Sequence, residues 1–144
     1  MDTVREILQA KGSDIWSVAP DTTVYEALQL MADKDIGALL VLKNGHLVGI
    51  FSERDYARKV ILHGKTSRET RVSEIMSSKV YFVGPDTTVA ECMGIMTEKH
   101  IRHLPVFANN DLVGMISIGD VVKSIISEQE FVIGQLERYI TGGR

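Results

Sequence analysis

The chain has 144 residues, 44% hydrophobic and 24% charged, the proportions of a globular protein forming one ordinary domain or two small fused ones. A net charge of −3 excludes a global pull toward nucleic acid or anionic lipid, so any bound anion needs a local site. No apolar run nears the ~18 residues of a membrane span. Met1-Asp2-Thr3-Val4-Arg5-Glu6 lacks the basic-then-apolar order of a secretory signal, and the single Cys92 excludes an internal disulfide, which points to the cytoplasm.

In chain order, Val4-Arg5-Glu6-Ile7-Leu8 begins a short helix and residues 15–18 read as a short strand. Asp21-Thr22-Thr23 supplies N-cap side chains ahead of Val24, Ala27, Leu28 and Met31 at helical spacing. Ala38-Leu39-Leu40-Val41-Leu42 and Leu47-Val48-Gly49-Ile50-Phe51 flank the turn signal Lys43-Asn44-Gly45, the pattern of a hairpin. Ser52-x-x-Asp55 then opens a helix over about residues 53–62. Residues 63–71 are polar, basic and weakly periodic, an inter-repeat linker, with a short helix resuming at Val72-Ser73-Glu74-Ile75-Met76.

The second half repeats the order. A strand is predicted over residues 80–83, then a helix with Val89, Cys92, Met93 and Met96 behind Asp86-Thr87-Thr88. Leu104-Pro105-Val106-Phe107 and Leu112-Val113-Gly114-Met115-Ile116 flank the turn Asn109-Asn110-Asp111, and a helix follows over about residues 119–128. After copy two, Val121, Val122, Ile125, Ile126, Phe131, Val132, Ile133, Leu136, Tyr139 and Ile140 suggest a helix extending past the repeat. Its apolar face is more than two small domains would cover, which points to a homodimer.

Residues 20–55 recur as 85–120 at a constant offset of 65, with about 17 of 36 aligned positions identical. Each copy is one supersecondary unit that buries its apolar face against a neighbour. The strongest local signal is Gly-x-x-Ser-x-x-Asp, as Gly49, Ser52, Asp55 and as Gly114, Ser117, Asp120. A serine opening a helix aims its hydroxyl and the first-turn amides at one spot, which suits a phosphate, and an aspartate one turn on can accept from two ribose hydroxyls. The same spacing is that of a capping box, and duplication copies caps as faithfully as sites.

Taken whole, the pattern resembles a tandem pair of CBS domains, the regulatory modules named after cystathionine β-synthase. The likeness spans roughly residues 4–126 and rests on Asp-Thr-Thr-Val before each first helix, Ile101-Arg102-His103-Leu104-Pro105-Val106 leading into a strand, and the two Gly-x-x-Ser-x-x-Asp endings. The resemblance implies an α/β (α+β) fold of two β-α-β-β-α units packed sheet to sheet about a pseudo-two-fold axis. The domains would run 1–64 and 65–127, with 128–144 as a C-terminal helical extension. It also implies two clefts between the repeats for adenosine-containing ligands such as AMP, ADP, ATP, S-adenosylmethionine or NAD(H).

Carried over residue by residue, the resemblance gives Asp55 and Asp120 to the ribose and Ser52 and Ser117 to phosphate. It lays adenine between the backbones of Ile36-Gly37-Ala38 and Ile101-Arg102-His103. It also sets Trp16 near the Asp120 cleft and Tyr81 near the Asp55 cleft, with plain core packing the alternative for each. The copies differ where phosphate charge would be neutralised: Arg102-His103 replaces Gly37-Ala38, and Gly119 replaces Arg54. Arg102 and His103 would serve the Asp120 side, Arg54 and Arg58 the Asp55 side, unless the latter pair is a solvated helix face. The Asp120 side is expected to bind more tightly.

His100-x-x-His103 has no carboxylate or cysteine set to complete a metal site, and Cys92 lies on an apolar helix face rather than as a nucleophile. No Walker loop, Rossmann glycine triplet or Ser/His/Asp arrangement is present. The expectation is a non-catalytic energy-sensing module, with AMP first among its ligands and an effector protein acting in trans. The alternative is an interaction module with vestigial clefts.

Overall fold

The computed structural model describes residues 3–140, with the side chains of Tyr139 and Ile140 outside the described set. The chain forms two compact units. A central unit is Ile15–Tyr81; a composite unit joins the N-terminal stretch through Asp14 to the chain from Phe82 onward.

In the central unit, β1 (Ser17–Val18) pairs parallel with β2 (Ala38–Lys43), which pairs antiparallel with β3 (His46–Ser52), in the order β1-β2-β3. Between β1 and β2 runs α2 (Val24–Lys34), capped by Thr23, whose hydroxyl accepts from the Glu26 amide. Val24, Ala27 and Met31, at one-face spacing, pack with Leu39, Val41, Phe51, Val60, Val72 and Ile75 into a single core. The expected hairpin turn is present, with Asn44 (φ 52) and Gly45 (φ 79) supplying two consecutive left-handed residues. After β3, α3 (Glu53–Asp55) widens into a π-helical stretch, Tyr56–Ile61. The linker folds back: Thr70 is buried, its hydroxyl donating to Thr66 O, and α4 (Val72–Ile75) begins with Val72 N donating to Thr22 O at 2.8 Å.

In the composite unit, α5 (Val89–Lys99) is capped by Thr88 as α2 is by Thr23. It leads to β4 (His103–Ala108), antiparallel to β5 (Asp111–Ser117), with Asn109 (φ 52) and Asn110 (φ 70) in the turn. One helix, α6 (Ile118–Ile140), then runs unbroken through both the expected repeat helix and its extension. Val121 is buried, while Val122, Ile126, Val132, Ile133 and Leu136 lie exposed along one side of α6.

One expectation changes here. The strand predicted over 80–83 is a single parallel bridge, Val83 to Val106. In the first copy the Leu40 amide donates to Trp16 O at 3.3 Å; the matching residue of the second copy is Pro105, which has no N–H, so the ladder is shorter. The compact units group the chain by contact rather than by its order in sequence. The N-terminal helix α1 (Val4–Lys11) lies in the composite unit, with Val4 N donating to Thr87 O at 2.9 Å, and α4 makes the matching bond in the central unit.

Helix docking explains a motif glycine in each copy. A Cβ on Gly114 would meet Leu8 Cδ2 of α1 at 2.8 Å, and one on Gly49 would meet Met76 Sδ, just after α4, at 2.6 Å. Both glycines keep a strand surface flat enough for the helix laid over it.

Candidate functional site

Each unit builds the same local frame at the start of the helix that follows its hairpin. In the central unit Ser52 N donates to Asp55 Oδ2 at 3.0 Å and the Asp55 amide donates to Ser52 Oγ at 3.2 Å. In the composite unit Ser117 N donates to Asp120 Oδ2 at 2.8 Å and the Asp120 amide to Ser117 Oγ at 3.2 Å. Both are closed capping boxes. The strand starts that the resemblance assigns to adenine are tied to these helix starts. Glu53 N donates to Gly37 O at 3.1 Å and Ile118 N to Arg102 O at 2.8 Å, while Ala38 pairs with Ser52 and His103 with Ser117. Ile36-Gly37-Ala38, Ser52, Arg54 and Asp55 are thus gathered within one unit, and Ile101-Arg102-His103, Ser117, Gly119 and Asp120 within the other.

Two site residues carried no motif. Lys59 Nζ lies 3.1 Å from Asp55 Oδ1 and donates to Ile75 O at 3.1 Å. Lys11 Nζ, from the last turn of α1, lies 2.7 Å from Asp120 Oδ2 and donates to Met115 O at 2.9 Å. The i,i+4 spacing of Asp55 and Lys59 is readable in the sequence; nothing local announces Lys11, 109 residues from its partner. The Lys11–Asp120 pair borders a cavity of about 100 Å³ between α1 and α6, lined by Ile7 and Ala10 on one side and Lys123, Ser124 and Ser127 on the other.

The electrostatics separate the candidate cations. Burial pushes His103 from its ordinary 6.5 down to about 4; Asp120 draws the proton back, and Lys11 and Arg102 oppose it. His103 is therefore neutral at neutral pH, and the cation beside Asp120 is Lys11, while exposed Arg102 acts on His103. Burial raises the Asp120 carboxyl, but the hydrogen bonds from Lys11 and the Ser117 amide, with the lysine's charge, outweigh it and hold the group below its usual value. In the central unit Arg54 is half-buried and Arg58 exposed.

Trp16 is half-buried against the central core with Lys34 Nζ 4.3 Å from its ring centroid, and Lys79 Nζ lies 5.7 Å from the Tyr81 ring. Cys92 is a buried core residue whose thiol is pushed up to about 11 by burial and then by Glu91.

Comparison with known proteins agrees with this frame. Residues 4–62 and 72–127 each match the CBS domain. The chain is 39% identical to the mitochondrial CBS domain-containing protein CBSX3 of Arabidopsis thaliana, over 98% of this chain and 73% of that one. It is 30% identical to the CBS domain-containing protein YhcV of Bacillus subtilis, over 90% and 89%. Among solved structures, a Burkholderia ambifaria protein with CBS domains superposes with a TM-score of 0.86 at 52% identity, covering 88% of this chain and 96% of that one. A CBS-domain-containing protein of Agrobacterium tumefaciens gives 0.81 at 39%, covering 85% and 98%. The duplicated frame, the family match over both copies and these relatives establish that the chain belongs to the CBS domain family, as a tandem pair.

Proposed function

We propose that the chain is a non-catalytic regulatory module that binds an adenosine-containing ligand at its Asp55 and Asp120 sites and signals the occupancy to a protein in trans. The observation that carries this reading is the identical tie in both units between strand start and helix start, which sets a backbone edge beside a serine–aspartate pair. A backbone edge suits a base, and a carboxylate suits a vicinal diol. AMP is the first candidate, ahead of ADP, ATP and NAD(H). Ligand signalling of this kind needs differential affinity for two states, typically ~1–3 kcal/mol of coupling.

Calorimetry with AMP tests the reading: micromolar binding is expected, lost in Asp55→Ala/Asp120→Ala with the far-UV spectrum intact. Wild-type affinity in that variant would remove the ribose assignment. Trp16, the single tryptophan, gives a second readout of binding through its fluorescence. One observation favours the interaction-module alternative, namely that both serine–aspartate pairs already satisfy each other as caps. Absence of any thermal shift with millimolar adenine ligands would decide for it.

A homodimer through α6 completes the proposal. Val122, Ile126, Ile133 and Leu136, with Gln129 between the second and third, fall on the alternating four–three spacing of a helix pair, and a second copy offers the same stripe. Sedimentation should give a dimer, and Ile126→Glu/Ile133→Glu a monomer; a monomeric wild type at ~100 µM, far above the dissociation constant of a specific dimer, would overturn it. The free, buried Cys92 is consistent with a reducing compartment such as the cytoplasm.

A further inference from the structure

The two aspartates share a feature that duplication does not explain: each has a lysine, and the two lysines come from different places in the fold. Lys59 sits one turn after Asp55 on the same helical segment. The residue matching it in the second copy is Ser124, which cannot neutralise Asp120. There the cation comes from α1, which runs eight residues to Lys11, where α4 stops after four. Each ammonium also rests on a backbone carbonyl, Ile75 O or Met115 O, at 2.9–3.1 Å. Both lysines are part-exposed, at 44% and 38%, while their aspartates are at 12% and 21%. The carboxylate is thus the fixed member of each pair and the ammonium the one that can swing.

Resting on the adenosine reading above, we propose that Lys11 and Lys59 are specificity-determining residues that select a phosphorylated nucleoside over a neutral one. A vicinal diol takes over the carboxylate, and the displaced ammonium turns to an anionic group on the same ligand. No bond is made or broken and no proton is transferred; one ion pair is exchanged for another plus two hydrogen bonds. A neutral nucleoside leaves the ammonium with water alone and gains only the hydrogen bonds. Beside Asp120, the cavity between α1 and α6 that Lys11 lines is also lined by Lys123, Ser124 and Ser127. The selected class is a ribose carrying a vicinal diol and a 5′-phosphate.

The test is calorimetric titration of the full chain with AMP and with adenosine. A charge-assisted hydrogen bond predicts AMP tighter than adenosine by roughly 10-fold or more in wild type. In Lys11→Met/Lys59→Met the ratio is expected to fall to about 3-fold or less, on the same principle, with adenosine bound at least as tightly as by wild type because no ion pair has to be broken. Lys11→Arg/Lys59→Arg, which keeps the charge, should retain most of the preference. The single methionine variants keep the test decidable should the double variant unfold. A wild-type ratio in the methionine variants, or equal affinities in wild type, would overturn the lysine assignment and leave the adenosine reading standing. Binding of neither ligand by wild type would instead remove the adenosine reading, and this inference with it.

Discussion

Replacing the two motif glycines by alanine should give unequal losses of stability, because different atoms stand where the new methyl would go. At Gly49 the Cβ would lie 2.6 Å from Met76 Sδ, 3.0 Å from Met76 Cγ and 3.0 Å from Ser77 O. Met76 can rotate, but Ser77 O is held by the Ile50 amide at 3.0 Å and Ser77 N donates back at 2.9 Å. The methyl must therefore spread a paired backbone. At Gly114 the contacts are Leu8 Cδ2 at 2.8 Å and Cδ1 at 3.1 Å, the far end of one half-buried side chain. Overpacking costs ~1–3 kcal/mol, and weakening the Ile50–Ser77 pair adds about 1 kcal/mol. We expect about 3 kcal/mol for Gly49→Ala and about 1 kcal/mol for Gly114→Ala. Urea denaturation with the slope monitored measures both. In double-mutant cycles, Leu8→Ala should absorb most of the Gly114→Ala penalty, whereas Met76→Ala should leave part of the Gly49→Ala penalty in place. A larger cost at Gly114, or full rescue of Gly49→Ala by Met76→Ala, would refute the argument that the Ser77 carbonyl is the obstacle.

His103 should make the protein acid-sensitive. Its proton affinity is lower folded than unfolded, so its contribution is complete above pH ~6.5 and is lost as the pH falls toward 4. At ~1.4 kcal/mol per pH unit the loss approaches roughly 3 kcal/mol, and His103→Gln should flatten that limb of a stability–pH profile. Cys92, with its thiol raised to about 11 and its side chain buried, should react with a thiol reagent at pH 8 only as fast as the fold opens, and fully in denaturant. Thr88→Ala removes a cap that accepts from the Glu91 amide at 3.0 Å and should cost about 1 kcal/mol by chemical denaturation.

What the sequence discloses follows how local each cause is. The caps at Thr23 and Thr88, the turns at Asn44-Gly45 and Asn109-Asn110, and both serine–aspartate boxes depend on neighbours within a few residues, and all stand where their spacing predicts. The grouping of α1 is different in kind. Val4-Arg5-Glu6-Ile7-Leu8 and Val72-Ser73-Glu74-Ile75-Met76 present the same apolar pattern, so either can serve either strand pair. The choice is made by bonds to Pro85 and Thr87, some 80 residues away, which no window along the chain can show. Lys11 was hidden for the same reason, as was the neutrality of His103, which follows from burial rather than from the company of Arg102. The shortened strand at Val83 was legible in principle. Pro105 lies at the position where the first copy donates an amide, and the loss follows once the copies are aligned atom by atom rather than by apolar pattern.

The Gly-x-x-Ser-x-x-Asp motif thus divides into parts with separate physical causes. Its glycine answers to a helix laid on the strand, through Leu8 or Met76, and has no need of a ligand. Its serine and aspartate close a cap that either unit would keep for stability alone. Capping consumes one carboxylate oxygen, Oδ2, with the serine amide in both copies. What a cap does not require is a lysine on each carboxylate, drawn from the same helical segment in one unit and from a lengthened α1 in the other. With the carboxylates only 12% and 21% exposed, each lysine offsets part of the cost of burying its cap. The recurrence of the cation by two routes, where the duplicated positions diverge from Lys59 to Ser124, is the part of the motif on which the proposed selection of a phosphorylated ligand rests.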